Sequence, residues 1–499
     1  MAKHRVVIIG SGLGGLLCGS ILSKEGFSVS VLEKNRQIGG CLQVFARNGR
    51  IFNTGLNYTE GLEKGQILYK YFNYIGIMDK LKLRRLDMDG FERITFEGNE
   101  YKFAQGHELF IETLAKQFPG ERKALVSYVD KMKEIGSSFP LYNLQNGNYR
   151  TENPESFDLS VTGFLSSITN NFVLQNVLAG TNLLYAGVPE KTPLYIHSLI
   201  MHSFINSAWR LVDGSHQLAI AIAKNIKSNG GEVLRNTEAC HFKFKDNRIS
   251  GVELNDGTLI EADTFISNVH PSVTLKMVDG SYVNKAYRNR IMSLENTIGM
   301  FSLYVVLKKN TFKYQNYNNY YHHYPNVWAT QNYSESKWPQ SYMLYTPANS
   351  VSEEYAENLI VMSYMKFSDV IKWENTFVEN RGEDYLDFKH QKAETLLDMV
   401  EIKFPEIRKC IQSYYTSTPL TYRDYTATPE GSSYGVLKDY KLPYRTMISP
   451  RTKIENLFFT GQNLNLHGIL GVTIGAVMTC GEIVGHENLV NKIIQSNNM

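Results

Sequence analysis

Gly10-Ser-Gly12-Leu-Gly14-Gly15 and, further on, Glu33 are the residues whose types and spacing could do chemistry. That chemistry is the grip on a dinucleotide. Gly10 permits a tight turn, Gly12 lets the backbone approach a pyrophosphate, and Gly15 lets a helix pack closely on the strand before it. The phosphates would rest on the helix N-terminus, where free N–H groups and the helix dipole favour negative charge. Glu33 is placed to accept hydrogen bonds from both hydroxyls of the adenosine ribose.

The elements that must position these residues are legible around them. Arg5-Val-Val-Ile-Ile9 is a short β-branched run of the kind buried on both faces of a parallel sheet. Leu13, Leu16, Leu17 and Ile21 recur at helical spacing, and Gly26 stands where a helix C-cap belongs. Residues 28–32 are a second strand ending at Glu33, so the stretch predicts one βαβ unit.

Composition bounds the rest. The chain has 499 residues, 43% of them apolar, which is enough for a large buried core in two to four compact units at roughly 150 residues each. Its 52 Lys and Arg against 49 Asp and Glu leave a formal charge of +3, which gives no electrostatic case for nucleic acid. Five widely spaced cysteines indicate neither a disulfide framework nor a metal site. The basic start is followed by too few apolar residues for a secretion signal, and no window suits a transmembrane helix. A cytoplasmic protein is expected. Residues 75–85 mix apolar residues with Lys80, Lys82, Arg84 and Arg85, the make-up of either an interfacial anchor or a solvated helix end, and peripheral contact with the inner face of a membrane is also expected.

Along the middle, residues 41–85 read as loop and helix with a hairpin at 44–52, and residues 86–205 as mainly helical, with amphipathic segments at 108–117 and 124–135. Residues 218–226 form a helix ended by Asn229-Gly-Gly231, and residues 242–245, 249–254 and 259–266 read as short strands. An α/β fold follows, with a Rossmann-like nucleotide domain assembled from residues 1–85, 206–285 and 426–499. Residues 86–205 and 286–425 make a second, α+β substrate lobe. The tyrosine-rich stretch 314–345, with Trp328 and Trp338, is either a substrate wall or the surface of an antiparallel sheet.

Gly39-Gly40, close behind Glu33, resembles the extended flavoprotein signature, in which the pair lets a loop lie along the FAD pyrophosphate. Near the end, Asn456-Leu-Phe-Phe-Thr460 runs into Gly461-Gln462-Asn463, and His467-Gly-Ile-Leu-Gly471-Val472 opens an apolar helix. The start of that helix could stabilise negative charge on a reduced flavin. With Phe52-Asn-Thr-Gly55, Gly230-Gly-Glu-Val233, Ala262 to Asn268 and Thr428 to Gly435, the chain resembles the phytoene desaturase, carotenoid isomerase and retinol saturase family of FAD proteins over nearly its whole length. Asn53, Asn57 and Gln462 stand where that family often has Asp, His and an acid.

The resemblance implies FAD, bound by Gly10, Ser11, Gly12, Gly14, Gly15, Glu33, Lys34, Gly39, Gly40, Ala239, Gly461, Gln462, Gly471 and Val472, with no metal. It implies hydride transfer at flavin N5 that desaturates, saturates or isomerises carbon–carbon double bonds of an elongated apolar polyene or other isoprenoid. Tyr58 and His467 are the candidates for catalysis, because the family motifs bring both near the flavin. A second GxGxxG is missing after Gly214, so the electron partner is expected to be external: oxygen, a quinone or a reductase. Two rival readings share the fold. One is a flavin amine oxidase. The other is a lipid- and protein-binding role of the Rab GDP-dissociation inhibitor type, whose members lack the intact glycine pattern.

Overall fold

The computed structural model describes residues 3–145 and 157–498. β1 (Arg5–Ile9), α1 (Leu13–Lys24) and β2 (Ser28–Leu32) form where the spacing predicts. They are the centre of a five-stranded, all-parallel sheet in the order Glu232–Leu234, β2, β1, Thr264–Ser267, Leu457–Phe459. β1 is sandwiched, which explains its unbroken apolar run: Val6 and Ile8 enter one core cluster and Val7 and Ile9 another. α1 packs between the helices His216–Ser228 and Gly468–Val484. Gly19 permits the first contact, since a Cβ there would lie 2.9 Å from Ile226 Cδ1.

The residues read as one strand at 259–266 divide in two. Leu259–Glu261 joins a three-stranded antiparallel sheet with Ala239–Lys245 and Arg248–Leu254, whereas Thr264–Ser267 joins the parallel sheet. Asp263 makes the break, exchanging hydrogen bonds with Arg5: its carboxylate accepts from Arg5 N at 2.7 Å and its N–H donates to Arg5 O at 3.0 Å.

A seven-stranded sheet forms the other large layer, in the order Ile411–Ser417, Gly299–Leu307, Asn358–Met365, Ser341–Tyr345, Asn318–His322, Glu92–Phe96, Asn99–Phe103. Its last two strands are a hairpin that the sequence reading missed within the mainly helical stretch 86–205, of which residues 146–156 lie outside the described residues. They pair as a hairpin whose two turn residues, Glu97 (φ 52°) and Gly98 (φ 77°), both take positive φ, as a tight two-residue hairpin turn requires. The helices predicted within that stretch are present as His107–Gln117 and Arg122–Ser137.

Strand periodicity decides the fate of the tyrosine-rich stretch. Tyr320, Met343 and Tyr345 face the core shared with α1, whereas Tyr321, Tyr342 and Leu344 face a second core containing Leu396 and Leu397 of the helix Glu383–Lys403. Trp338 belongs to that second core: it packs edge-on against Phe301 at 5.4 Å and donates from Nε1 to Tyr364 O at 2.6 Å. Trp328 packs against the first core without lining the main cavity. Neither tryptophan lines the main cavity: Trp338 is buried in the second core, and half-buried Trp328 sits on the helical turn Val327–Gln331.

Residues 75–85 also depart from the reading as a membrane anchor. Ile75 and Ile77 are buried in the main core. Lys80 donates to Asn225 Oδ1 at 2.9 Å, Lys82 lies 3.7 Å from Asp213, Arg84 pairs with Glu353 at 2.8 Å, and Arg85 pairs with Glu63. The apolar residues are spent on the fold and the cations on partners. Among the described residues, no helix is long and apolar enough to cross a membrane.

Trp338→Ala is expected to destabilise the protein by about 3–5 kcal/mol, the cost of an aromatic-sized cavity in a core. A thermal midpoint indistinguishable from that of the parent protein would place Trp338 outside the packing just described.

Candidate active site

β1 delivers the chain into Gly10, whose φ of +91° only glycine adopts freely. A Cβ at Gly15 would sit 2.1 Å from Gly10 O, so α1 can lie on the turn only without one. Gly12 caps α1 with no side-chain hydrogen bond, which leaves the first helical N–H groups open to a ligand. Gly39 and Gly40 take φ of +113° and +56° and bring their loop against this turn: Gly39 N donates to Ser11 O at 3.1 Å.

A cavity of about 330 Å³ opens at the carboxyl ends of these strands, where ligands of open α/β sheets bind. It is lined by Gly10, Gly12, Gly14, Glu33, Lys34, Gly39, Gly40, Ala239, Gly461, Gln462 and Val472 from the set named by the sequence. Ser11, Gly15 and Gly471 are not in the wall. Ser11 instead orients Glu33, donating from N at 3.1 Å and from Oγ at 2.5 Å to Glu33 Oε2. Asn35 N donates to Glu33 Oε1 at 2.8 Å, so one carboxylate lone pair is left for a ribose hydroxyl. Gly471 packs against Leu466, 2.7 Å from where its Cβ would be.

Two further features went unread in the sequence. Asn268, at the end of the strand beside β1, reaches over the glycine turn. A Cβ at Gly12 would lie 2.7 Å from its Nδ2, and one at Gly14 2.6 Å from its Oδ1. Lys34 donates to Asp424 O at 2.8 Å and Asn35 to Tyr425 O at 2.9 Å, which straps residues 424–427 over the same end of the cavity. The position of Asn268, at the carboxyl end of a parallel strand, was the available signal.

The far wall is apolar: Leu184, Leu199, Ile200, Phe204, Met300, Met362 and Leu466. Tyr58 and His467 stand in it, but their polar atoms are engaged. The Tyr58 hydroxyl contacts Glu92 and lies 2.7 Å from that of Tyr320, and burial pushes its pKa well above the ordinary range. His467 Nε2 lies 3.0 Å from Leu184 O, and burial lowers its pKa to about 4, so the ring is a neutral donor to that carbonyl. Glu92 is fully buried behind Tyr58, and desolvation pushes it up to about 8. Glu60, two residues after Tyr58, is an acid in the cavity wall that the sequence reading passed over.

A glycine cradle at a bare helix start, an oriented acid and a cavity running on to an apolar wall define a dinucleotide-dependent oxidoreductase. The chain matches the family profile of flavin containing amine oxidoreductases over residues 13–480 and belongs to that family; it is an FAD-dependent oxidoreductase. It is 26% identical to the all-trans-retinol 13,14-reductase of Danio rerio, over 97% of this chain and 86% of the relative. It is 25% identical to the human enzyme of that name, over 98% and 87%. With the 4,4'-diaponeurosporene oxygenase of Staphylococcus aureus (strain MSSA476) it shares 24% identity, over 98% and 99%. Among solved structures, putrescine oxidase bound to putrescine superposes with a TM-score of 0.64 at 14% identity, covering 97% of this chain and 99% of that one. An oxidoreductase from Methanosarcina mazei gives 0.62 at 14%, covering 95% and 98%. These two likenesses describe the fold.

Glu33→Ala is expected to weaken FAD roughly ten- to a hundredfold, since a hydrogen bond to a charged group contributes about 1.5–3 kcal/mol. Gly12→Val should act more severely. Fluorescence titration of the cofactor-free variants reads both, and unchanged affinity for Glu33→Ala would remove that residue from the site. Glu92 predicts a pH effect as well. Its folded pKa lies above the ordinary 4.5, so its stabilising contribution is complete below about 4.5 and is lost as pH rises through 8. Glu92→Gln should flatten the fall in thermal midpoint between pH 5 and 8.

Proposed function

We propose that the protein transfers a hydride and a proton between adjacent carbons of an elongated apolar polyene, retinoid or related isoprenoid, adding or removing one carbon–carbon double bond. The observation that carries this reading is the apolar wall of Leu199, Ile200, Phe204, Met300 and Met362 in the same cavity as the glycine turn. A long hydrocarbon chain needs such a surface beside the redox cofactor. The names of the retinol reductase and diaponeurosporene oxygenase relatives support the same substrate class.

FAD bound at this site would supply the two-electron chemistry. The protein's own residues hold it and exclude water. In this reading Gly10, Gly12, Gly14, Gly39 and Gly40 admit the pyrophosphate, Glu33 holds the ribose, and Gly461, Gln462 and Val472 close on the cofactor from the last strand and helix. The nucleotide domain comprises residues 1–85, 206–285 and 426–499, and the substrate lobe 86–205 and 286–425. Electrons pass to or from an external partner, oxygen, a quinone or a reductase. An apolar substrate is held in bilayers, so the reading places the enzyme in the cytoplasm against the inner face of a membrane.

The test is anaerobic. The protein is expected to purify yellow; after photoreduction its flavin should be reoxidised by a polyene or retinoid that loses one double bond, or the oxidised flavin should be bleached by the more saturated partner. Amines run in parallel. Reaction with amines and release of hydrogen peroxide, with no response to any polyene, would overturn the reading.

A further inference from the structure

Tyr58 and Glu60 alternate along the chain, so the strand Thr59–Glu60 brings both to one face. Tyr58 is occupied by Glu92 and Tyr320, whereas Glu60 lines the cavity beside the apolar residues of its wall. Glu60 Oε1 accepts from Leu470 N at 3.1 Å, in the first turn of the helix Gly468–Val484, and its Oε2 has only a long contact of 3.4 Å with Thr59 Oγ1. Only 7% of its surface is exposed.

The groups that face Glu60 leave it without a counter-charge. From the helical segment Pro140–Asn143 comes Tyr142, whose hydroxyl bonds to Ser203 and Leu199 O. From the helix Gly468–Val484 comes the Leu470 N–H. No ion pair to Glu60 is present among the described residues, and no cation contributes to its acidity. Desolvation favours the protonated form of such a carboxyl and the hydrogen bonds from Leu470 N and Thr59 favour the carboxylate; desolvation is the larger effect.

We propose that Glu60 is the acid–base residue of the reaction, exchanging the proton that accompanies the hydride. The assignment rests on the double-bond chemistry proposed above. In saturation, one carbon of the double bond receives the hydride and its electron pair from reduced flavin, the neighbouring carbon receives the Glu60 proton, and Glu60 is left as carboxylate. Desaturation is the reverse: Glu60 takes the proton as the hydride leaves for oxidised flavin. Desolvation raises Glu60 above the ordinary glutamate value, towards the range where one carboxyl can serve as either donor or acceptor. The Leu470 N–H holds the carboxylate after the proton has gone. The sign of the pH profile then reports direction. A donor loses rate as pH rises through its pKa, and an acceptor gains it.

The experiment compares Glu60→Gln and Glu60→Asp with the parent protein in anaerobic mixing with a retinoid or carotenoid, and measures thermal midpoints of the cofactor-free proteins from pH 4 to 9. Glu60→Gln should keep flavin bound and lower the single-turnover rate at least about 100-fold with substrate affinity unchanged. Glu60→Asp should recover part of the rate. The parent rate should follow one ionisation that Glu60→Gln lacks. Because the folded pKa is raised, the stability attached to Glu60 is complete below the ordinary 4.5 and is lost as pH rises through the raised value; Glu60→Gln should remove that part of the slope. Turnover of Glu60→Gln within twofold of the parent, or an unaltered pH profile, overturns the assignment. If Glu60→Gln fails to hold flavin, the parent profile decides, and a flat one from pH 5 to 9 overturns it. A parent protein whose flavin responds to no polyene overturns the substrate reading instead, and the thermal arm still reports whether Glu60 titrates as a raised acid.

Discussion

The contact between the backbone of α1 at Gly15 and the carbonyl of Gly10 is the constraint on which the site depends. At 2.1 Å from where a Cβ would stand, that oxygen admits nothing larger than hydrogen. The contact fixes where α1 begins, and so where its uncapped N–H groups lie relative to Glu33. The loop at Gly39-Gly40 closes on the same turn, and Asn268 and Gly461 close on it from the neighbouring strands. The glycine turn, the loop at Gly39-Gly40, Asn268 and Gly461 therefore meet around one backbone contact. A methyl group at Gly15 would meet both Gly10 O and, at 3.2 Å, Asn268 Cβ.

The two sheets divide the labour by the chemistry of their faces. The parallel sheet presents backbone donors, an acid and glycines at its carboxyl ends, where polar groups can remain hydrated until a ligand replaces the water. The seven-stranded sheet turns Met300 and Met362 into the cavity and keeps its tryptophan, Trp338, on the opposite face. Flexible methionine side chains and the helix Leu194–Asn206, which contributes Leu199, Ile200 and Phe204, line the apolar end. Behind that end Arg210 is fully buried and donates to Gln315 O at 2.7 Å, Tyr317 O at 2.9 Å and Asn318 Oδ1 at 2.7 Å. It fixes the strand beside Glu92, while Glu92 fixes Tyr58. Polar order is thus concentrated behind the wall, whose apolar side chains share it with Tyr58, Glu60 and His467.

Local sequence determined the first βαβ unit, the glycine turn, the place of Glu33 at the end of β2, and the C-terminal strand and helix. In each, the signal is carried by neighbours in the chain: β-branched runs, helical spacing, and glycines where φ is positive or a backbone approaches. The hairpin at 92–103 carried such a signal too, in Ile94, Phe96 and the turn at Glu97-Gly98, but the helical segments on either side outweighed it. The split at Asp263 was not local, because it depends on Arg5 at the far end of the domain.

Tertiary structure alone decided what faces the cavity. By composition the stretch 314–345, with Trp328 and Trp338, reads either as a wall or as the surface of an antiparallel sheet, yet a strand sends alternate residues to opposite faces, and only the packing of helix Glu383–Lys403 shows which face is core. Residues 75–85 read by composition as an anchor or a solvated helix end, yet their partners Asn225, Asp213, Glu353 and Glu63 come from elsewhere in the chain. Glu60 has no motif around it. A carboxyl becomes an acid–base candidate through what surrounds it, and its surroundings, Leu470, Tyr142 and the apolar wall, are assembled only when distant segments fold together. Spacing along the chain encodes backbone geometry, whereas burial and pairing are properties of the assembled molecule.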